Sequence, residues 1–225
     1  MSSPSSQDPW SESMSNVALL FVGAVLLVNG LVFLGRVDGR AAIPINLLAG
    51  ATLVLNALLM VASVEPDTPT TFGAVGFALF GFTYLTVALN SLLGGSGRAL
   101  GWYCGWAAII ATVLALINFS DGAAPQMGWL WASWALLFLS FFLALIVSGE
   151  WWTPAAGILA IVQGFTTATV PALMMIDGSW ATASAAIIGL VQIGGAVVYV
   201  FAVFYFRTRR ETVSDVPTGS VAVPL

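Results

Sequence analysis

The sequence predicts an all-α polytopic membrane bundle of about seven transmembrane helices, and three observations carry that reading. The chain falls into successive apolar stretches of roughly 20 residues, the length needed to cross about 30 Å of hydrocarbon. Charged residues make up 7% of the 225 residues and hydrophobic residues 59%, with a mean hydropathy of +0.98. A soluble domain carries about 25% charged residues. The third observation is the placement of the six basic residues, Arg36, Arg40, Arg98, Arg207, Arg209 and Arg210. Each lies in a gap that follows an odd-numbered apolar stretch. Basic residues flanking spanning helices stay cytoplasmic, which predicts an outside N-terminus and a cytoplasmic C-terminus.

The elements follow in order. Residues 1–16 are polar, carry Asp8 and Glu12, and lack the basic start of a signal peptide, so they predict a disordered outer tail. The first span covers residues 17–34 and stops at the Gly35 to Arg40 turn. The second covers 42–64 and leads to an acidic turn through Glu65 and Asp67. The third, 72–93, ends at the Gly94-Gly95-Ser96-Gly97-Arg98 turn. The fourth, 99–119, is followed by a loop through Asp121 and Pro125. The fifth covers 127–147, the sixth 153–176 and the seventh 181–206. Residues 17–206 thus form the membrane domain, and 207–225 are expected to be a disordered cytoplasmic tail. Turns this short force consecutive helices into antiparallel neighbours.

The charge pattern excludes several functions. No Asp, Glu, Lys or Arg falls well inside a span. A charge at a helix centre costs about 2.5–3.5 kcal/mol on insertion scales, and proteins that keep one there use it. Ion coupling and voltage sensing therefore lack their usual groups. The absence of lysine excludes a retinal Schiff base. The absence of histidine argues against His-dependent hydrolysis or haem ligation within the membrane. The single cysteine, Cys104, allows no internal disulfide. No cofactor, metal or nucleic-acid partner is expected. The partners are the lipid bilayer and an uncharged solute.

Uncharged polar groups do occur within the spans. They include Asn29, Asn46, Asn56, Asn90, Gln163 and Gln192, with Thr83, Thr166 and Thr167. An amide offers donors and acceptors together. These groups either join helices or line a path for a small solute bearing both functions. Trp131, Trp134 and Phe138, spaced by three and four, share one face of the fifth helix. A deep aromatic stripe can form a slot that passes flat, weakly hydrated molecules and rejects ions. Trp129, Trp151, Trp152 and Trp180 lie at span ends, where Trp serves as an interfacial anchor. The Gly101-Trp102-Tyr103-Cys104-Gly105 pattern permits close helix contact. Pro171 either bends the sixth helix or frees backbone carbonyls there.

Five stretches resemble the AmiS/UreI family of urea and short-chain amide channels. They are GAVLLVNG at 23–30, NLLAGATLVLN at 46–56 and FGFTYL at 80–85 with Ala88-Leu89-Asn90. Trp131-Ala132-Ser133-Trp134 and TPAAGILAIVQGFTTATVP at 153–171 complete the set. The resemblance implies a passive channel through each protomer, with protomers assembled as a homo-oligomer, a hexameric ring in the urea channel. It places Val22, Leu26, Asn29, Phe80, Tyr84, Trp131 and Trp134 along the path, with Tyr84 at a constriction. It also implies a cytoplasmic amidase or urease that uses the solute.

Three departures from the family pattern matter. Phe138 stands where the urea channel has Trp, and Gln163 where it has Glu. The seventh span has no counterpart there. The first two differences favour short aliphatic amides such as acetamide alongside urea. The lack of histidine predicts a channel that is not acid-gated. The alternative to a channel is a non-transporting membrane scaffold or sensor, in which amides and rings only hold helices together.

Overall fold

The computed structural model describes residues 9–62, 68–120 and 124–214. The outermost parts of both expected tails, the acidic turn at 63–67 and the loop at 121–123 lie outside the described residues. The described chain consists of helices: α1 (Pro9–Phe33), α2 (Ile43–Ala62), α3 (Thr68–Leu93), α4 (Arg98–Ser120), α5 (Pro125–Ile146), α6 (Trp152–Gln163), α7 (Val170–Ile176) and α8 (Ala185–Ser214). A π-helical turn, Gly164–Thr169, joins α6 to α7, and a 3-10 turn, Ser179–Thr182, precedes α8. Seven segments are long and apolar enough to cross a membrane, with α6, the π turn and α7 counting as one.

Three boundaries differ from the sequence expectation. α1 starts at Pro9, eight residues ahead of the expected start of the first span, and its membrane-length part begins at Ser13. An apolar helix, once nucleated, extends into polar sequence at little cost. For the same reason α8 runs past Arg207 to Ser214. The seventh helix begins at Ala185 rather than 181, because the chain first ends α7 at Asp177 and makes the 3-10 turn.

The helix ends explain the turns. α1 closes with Arg36 N–H on Leu31 O (2.9 Å) and Gly35 N–H on Val32 O (2.9 Å), around Gly35 at φ +67°. This is a Schellman end, in which glycine adopts the left-handed conformation without strain. α3 ends the same way, with Gly95 N–H on Asn90 O (2.9 Å) past Gly94 at φ +69°. Both sharp stops are followed by arginine. Gly39 lies beside Ser91, Gly97 beside Leu145, and the Arg207 guanidinium sits over the Trp151 ring at 5.7 Å. The arginine-bearing turns therefore share one end of the bundle.

α1 to α6 form a closed ring in chain order: each packs on the next, and α6 with its π turn returns to α1. Glycines set the closest seams. A Cβ on Gly30 would lie 2.7 Å from the Gly157 carbonyl, and one on Gly23 would lie 2.8 Å from the Gly164 carbonyl. α2 and α3 touch similarly, where a Cβ on Gly81 would lie 3.1 Å from the Gly50 carbonyl. In α4 the glycine pair faces α5, Gly101 against Ile146 and Gly105 against Phe142. Lipid tails are as apolar as leucine, so such close backbone approach supplies the association that water supplies in a soluble core. α8 stands outside the ring, against α5 and α6.

Gly30→Val drives a branched side chain into the backbone of α6. It should lower stability in detergent by about 1–3 kcal/mol, the usual cost of overpacking. Gly194→Ala, where a Cβ meets nothing within 4 Å, should leave stability unchanged or raised. Thermal unfolding followed by size-exclusion chromatography checks both.

Candidate functional site

The ring encloses an interior built by alternate helices. α3 and α5 have little backbone contact with each other, yet their side chains meet. From α3, Gly76, Phe80 and Tyr84 recur every four residues and so share a face. From α5, Trp131, Trp134 and Phe138 answer them. The Phe80 ring lies 5.3 Å from Trp134, 5.0 Å from Phe138 and 6.1 Å from Tyr84, between centroids. Trp131 stands edge-on to Trp134 at 4.8 Å, and its indole lies against Gly76, where a Cβ would come within 2.6 Å. Edge-to-face pairs of this kind contribute about 0.5–1.5 kcal/mol each beyond burial. The stripe expected on α5 is thus one half of a cluster whose centre is Phe80.

α1 supplies Val22 and Leu26, both fully buried in the same core. α6 supplies Gln163. Its Nε2 donates to the Ser133 carbonyl at 3.0 Å. The Trp134 indole N–H donates to Thr167 Oγ1 at 2.9 Å, and Thr167 Oγ1 in turn donates to the Gln163 carbonyl at 2.7 Å. The ring of Trp134 is therefore fixed by the π turn. In the sequence Thr167 and Gln192 stand only among the polar groups within spans and Ser133 only within the Trp131 to Trp134 stretch; their importance rests on contacts between helices.

Eight of the nine path residues expected from sequence are brought into one buried region: Val22, Leu26, Phe80, Tyr84, Trp131, Trp134, Phe138 and Gln163. Asn29 sits apart from the aromatic cluster. It exchanges two hydrogen bonds with Asn46, at 2.9 and 2.8 Å, and Asn46 also donates to the Ala42 carbonyl at 2.9 Å. Both polar ends of the Asn29 amide are engaged in joining α1 to α2.

Two polar atoms in the buried region find no partner within the protein, the Tyr84 hydroxyl and Gln163 Oε1. Tyr84 is 1% exposed and Gln163 2%. Burying an unpaired hydroxyl or amide oxygen costs about 1–3 kcal/mol, so such groups in a native interior ask for a reason. Tyr199 Oη, Asn90 Nδ2 and Trp152 Nε1 are also unpaired. They lie elsewhere, on α8 and towards the arginine-bearing end.

Among the described residues, a closed ring of membrane-length helices thus surrounds an aromatic, uncharged interior. The chain belongs to the AmiS/UreI family of transporters, whose model matches residues 14–179. A Mycolicibacterium smegmatis protein named for the transport of amidate substrates is 34% identical over 209 residues, 93% of this chain and 98% of its own. The acid-activated urea channel of Helicobacter pylori strain J99 is 30% identical over 193 residues, covering 72% of this chain and 97% of its own. The crystal structure of the urea channel from Helicobacter pylori superposes with a TM-score of 0.63 at 26% identity, over 74% of this chain and 99% of that one. The chain is a multi-pass protein of the cytoplasmic membrane. The family match ends before α8, whereas the Mycolicibacterium match is too long to leave α8 out.

Trp134→Phe removes the indole N–H that meets Thr167 together with part of the ring bulk. It should cost at least about 0.6–2 kcal/mol of stability, the range for a hydrogen bond between membrane helices, with the lost packing added. Thermal unfolding of Trp134→Phe alongside Thr167→Val, which removes the same bond from the other side, checks this. Thr167→Val also removes the bond to the Gln163 carbonyl, so the losses need not be equal, but Trp134→Phe should cost less in the Thr167→Val background than in the wild type.

Proposed function

We propose that the protein is a passive facilitator for urea or short-chain aliphatic amides. The observation that carries this reading is the pairing of a buried aromatic cluster with two unpartnered polar atoms. Phe80, Trp134 and Phe138 accept a planar, weakly hydrated molecule between ring faces and edges. Tyr84 Oη can donate to a solute carbonyl, and Gln163 Oε1 can accept from a solute N–H. A molecule with both functions matches both atoms, which describes urea and simple amides. An ion gains nothing there, because rings and one amide cannot replace its hydration shell. Val22 and Leu26 form the apolar wall opposite. The names of the relatives, which cover amidate and urea transport, point the same way.

The arginine-bearing end is cytoplasmic in this reading, with the N-terminus outside. Protomers assemble as a homo-oligomer, each with its own path, and a hexameric ring is the arrangement the family resemblance favours. Asn29 belongs to the cytoplasmic approach to the slot, held in place by Asn46. Gln163 supplies an amide that carries no charge, and the chain contains no histidine. Transport is therefore insensitive to pH between 5 and 8. On the opposite surface, hydrogen bonds from Ser179 hold the Asp177 carboxyl below its usual value of 3.8. It titrates only at still lower pH and stays ionised throughout that range.

Stopped-flow permeability of proteoliposomes tests the slot. Tyr84→Phe removes one hydroxyl and should lower urea and acetamide flux by about threefold to tenfold, the worth of one hydrogen bond. Trp134→Ala should widen the slot and raise propionamide flux relative to urea. Unchanged flux and selectivity in both variants would remove the slot. Wild-type flux no greater than that of empty liposomes would favour a scaffold or sensor instead.

Uptake at pH 5 and pH 7.5 should agree to within about a factor of two, because no histidine is present to switch in that window. A several-fold rise at pH 5 would overturn ungated conduction.

A further inference from the structure

Pro171 leaves one carbonyl of the sixth span without a helical donor. In the π turn the Val170 N–H goes to Phe165 O, five residues back. The next carbonyl in that register, Thr166 O, would take its bond from residue 171, and proline has no N–H. A carbonyl exposed to hydrocarbon costs several kcal/mol, so something else must satisfy it. The donor comes from α8: Gln192 Nε2 reaches Thr166 O at 3.1 Å. The other end of the same amide, Gln192 Oε1, accepts from Ser133 Oγ at 3.1 Å.

Ser133 and Thr166 are the immediate chain neighbours of Trp134 and Thr167. Trp134 and Thr167 bond to each other at 2.9 Å, and the Ser133 carbonyl holds Gln163 Nε2 at 3.0 Å. One amide from outside the ring thus grips both segments that carry the slot, one by the Thr166 carbonyl and the other by the Ser133 hydroxyl. α8 is itself held on either side of this point. Towards one end Gln126 Nε2 donates to Ala183 O at 2.9 Å and Trp129 packs on Gly189; towards the other Arg207 covers Trp151.

We propose that Gln192 is a positioning residue for the slot, through which the seventh helix sets the aperture between Trp134 and Gln163 and hence the size of amide that passes. The inference rests on the solute-path reading above, and its test separates the two. Gln192→Leu keeps the bulk and removes both bonds. The ratio of propionamide to urea permeability in proteoliposomes should shift by about threefold or more, the scale of one or two hydrogen bonds in a bilayer. Amide hydrogen exchange across residues 164–170 should quicken in the same variant. Pro171→Ala supplies the missing N–H, so in that background Gln192→Leu should change the ratio by less than twofold. Ser133→Ala, which removes only one bond, should shift the ratio in the same direction by less, and it keeps the test open if Gln192→Leu does not fold. Equal shifts in both backgrounds, or no change in selectivity and exchange, would overturn the proposal. If the wild type carries no amide at all, the transport reading fails, while the exchange measurement still decides whether Gln192 holds the π turn.

Discussion

The structure depends on how closely α6 comes to α1. Consecutive helices in a chain with short turns pack as neighbours almost by necessity. The last contact, which turns a row of helices into a ring, has no such help. It is made where Gly23 faces Gly164 and Gly30 faces Gly157, with backbone against backbone. Any side chain at these positions would push the helices apart and open the interior sideways to lipid. Once the ring is closed, alternate helices are too far apart to touch by backbone, and only large side chains span the gap. That is why α3 and α5 contribute Phe, Tyr and Trp where other seams contribute glycine and alanine.

Polar groups in this interior divide into two kinds. Asn29 with Asn46, and Gln192 with Ser133 and Thr166, satisfy each other and join helices. Their worth is modest singly, about 0.6–1.7 kcal/mol per bond, because unfolded helices in a membrane also find partners. Tyr84 Oη and Gln163 Oε1 remain unpaired beside the aromatic rings. Gln163 belongs to both kinds, with its nitrogen holding α5 and its oxygen unengaged. The first kind keeps the second in place.

α8 adds a layer that the six-helix ring does not need for closure. It lies beyond residues 14–179, which match the family. Its contacts are not those of a loosely tethered anchor. They include a ring over a glycine, a shared amide and an arginine over an indole, spread along the helix length. The middle contact coincides with the one place where the sixth span departs from α-helical geometry.

The number of spanning helices and the bundle class were readable from apolar length and the scarcity of charge, because the bilayer imposes a fixed thickness and penalises every buried ion. The stripe of Trp131, Trp134 and Phe138 was readable too, since helical spacing puts residues three and four apart on one face. The start of α1 and the break before α8 were not, because helix ends follow local capping and propagation rather than hydropathy. Pro171 announced a disturbance, but whether it bent the helix or freed a carbonyl depended on a donor 21 residues away, Gln192, on another helix. Asn29 and Gln163 looked alike as amides within spans. Only the folded ring separated them, one engaged at both ends by Asn46 and the other left with a bare oxygen beside Trp134. Hydropathy acts on each segment alone and so is written along the chain. The pairing of polar atoms needs two helices at a particular distance, which exists only after packing.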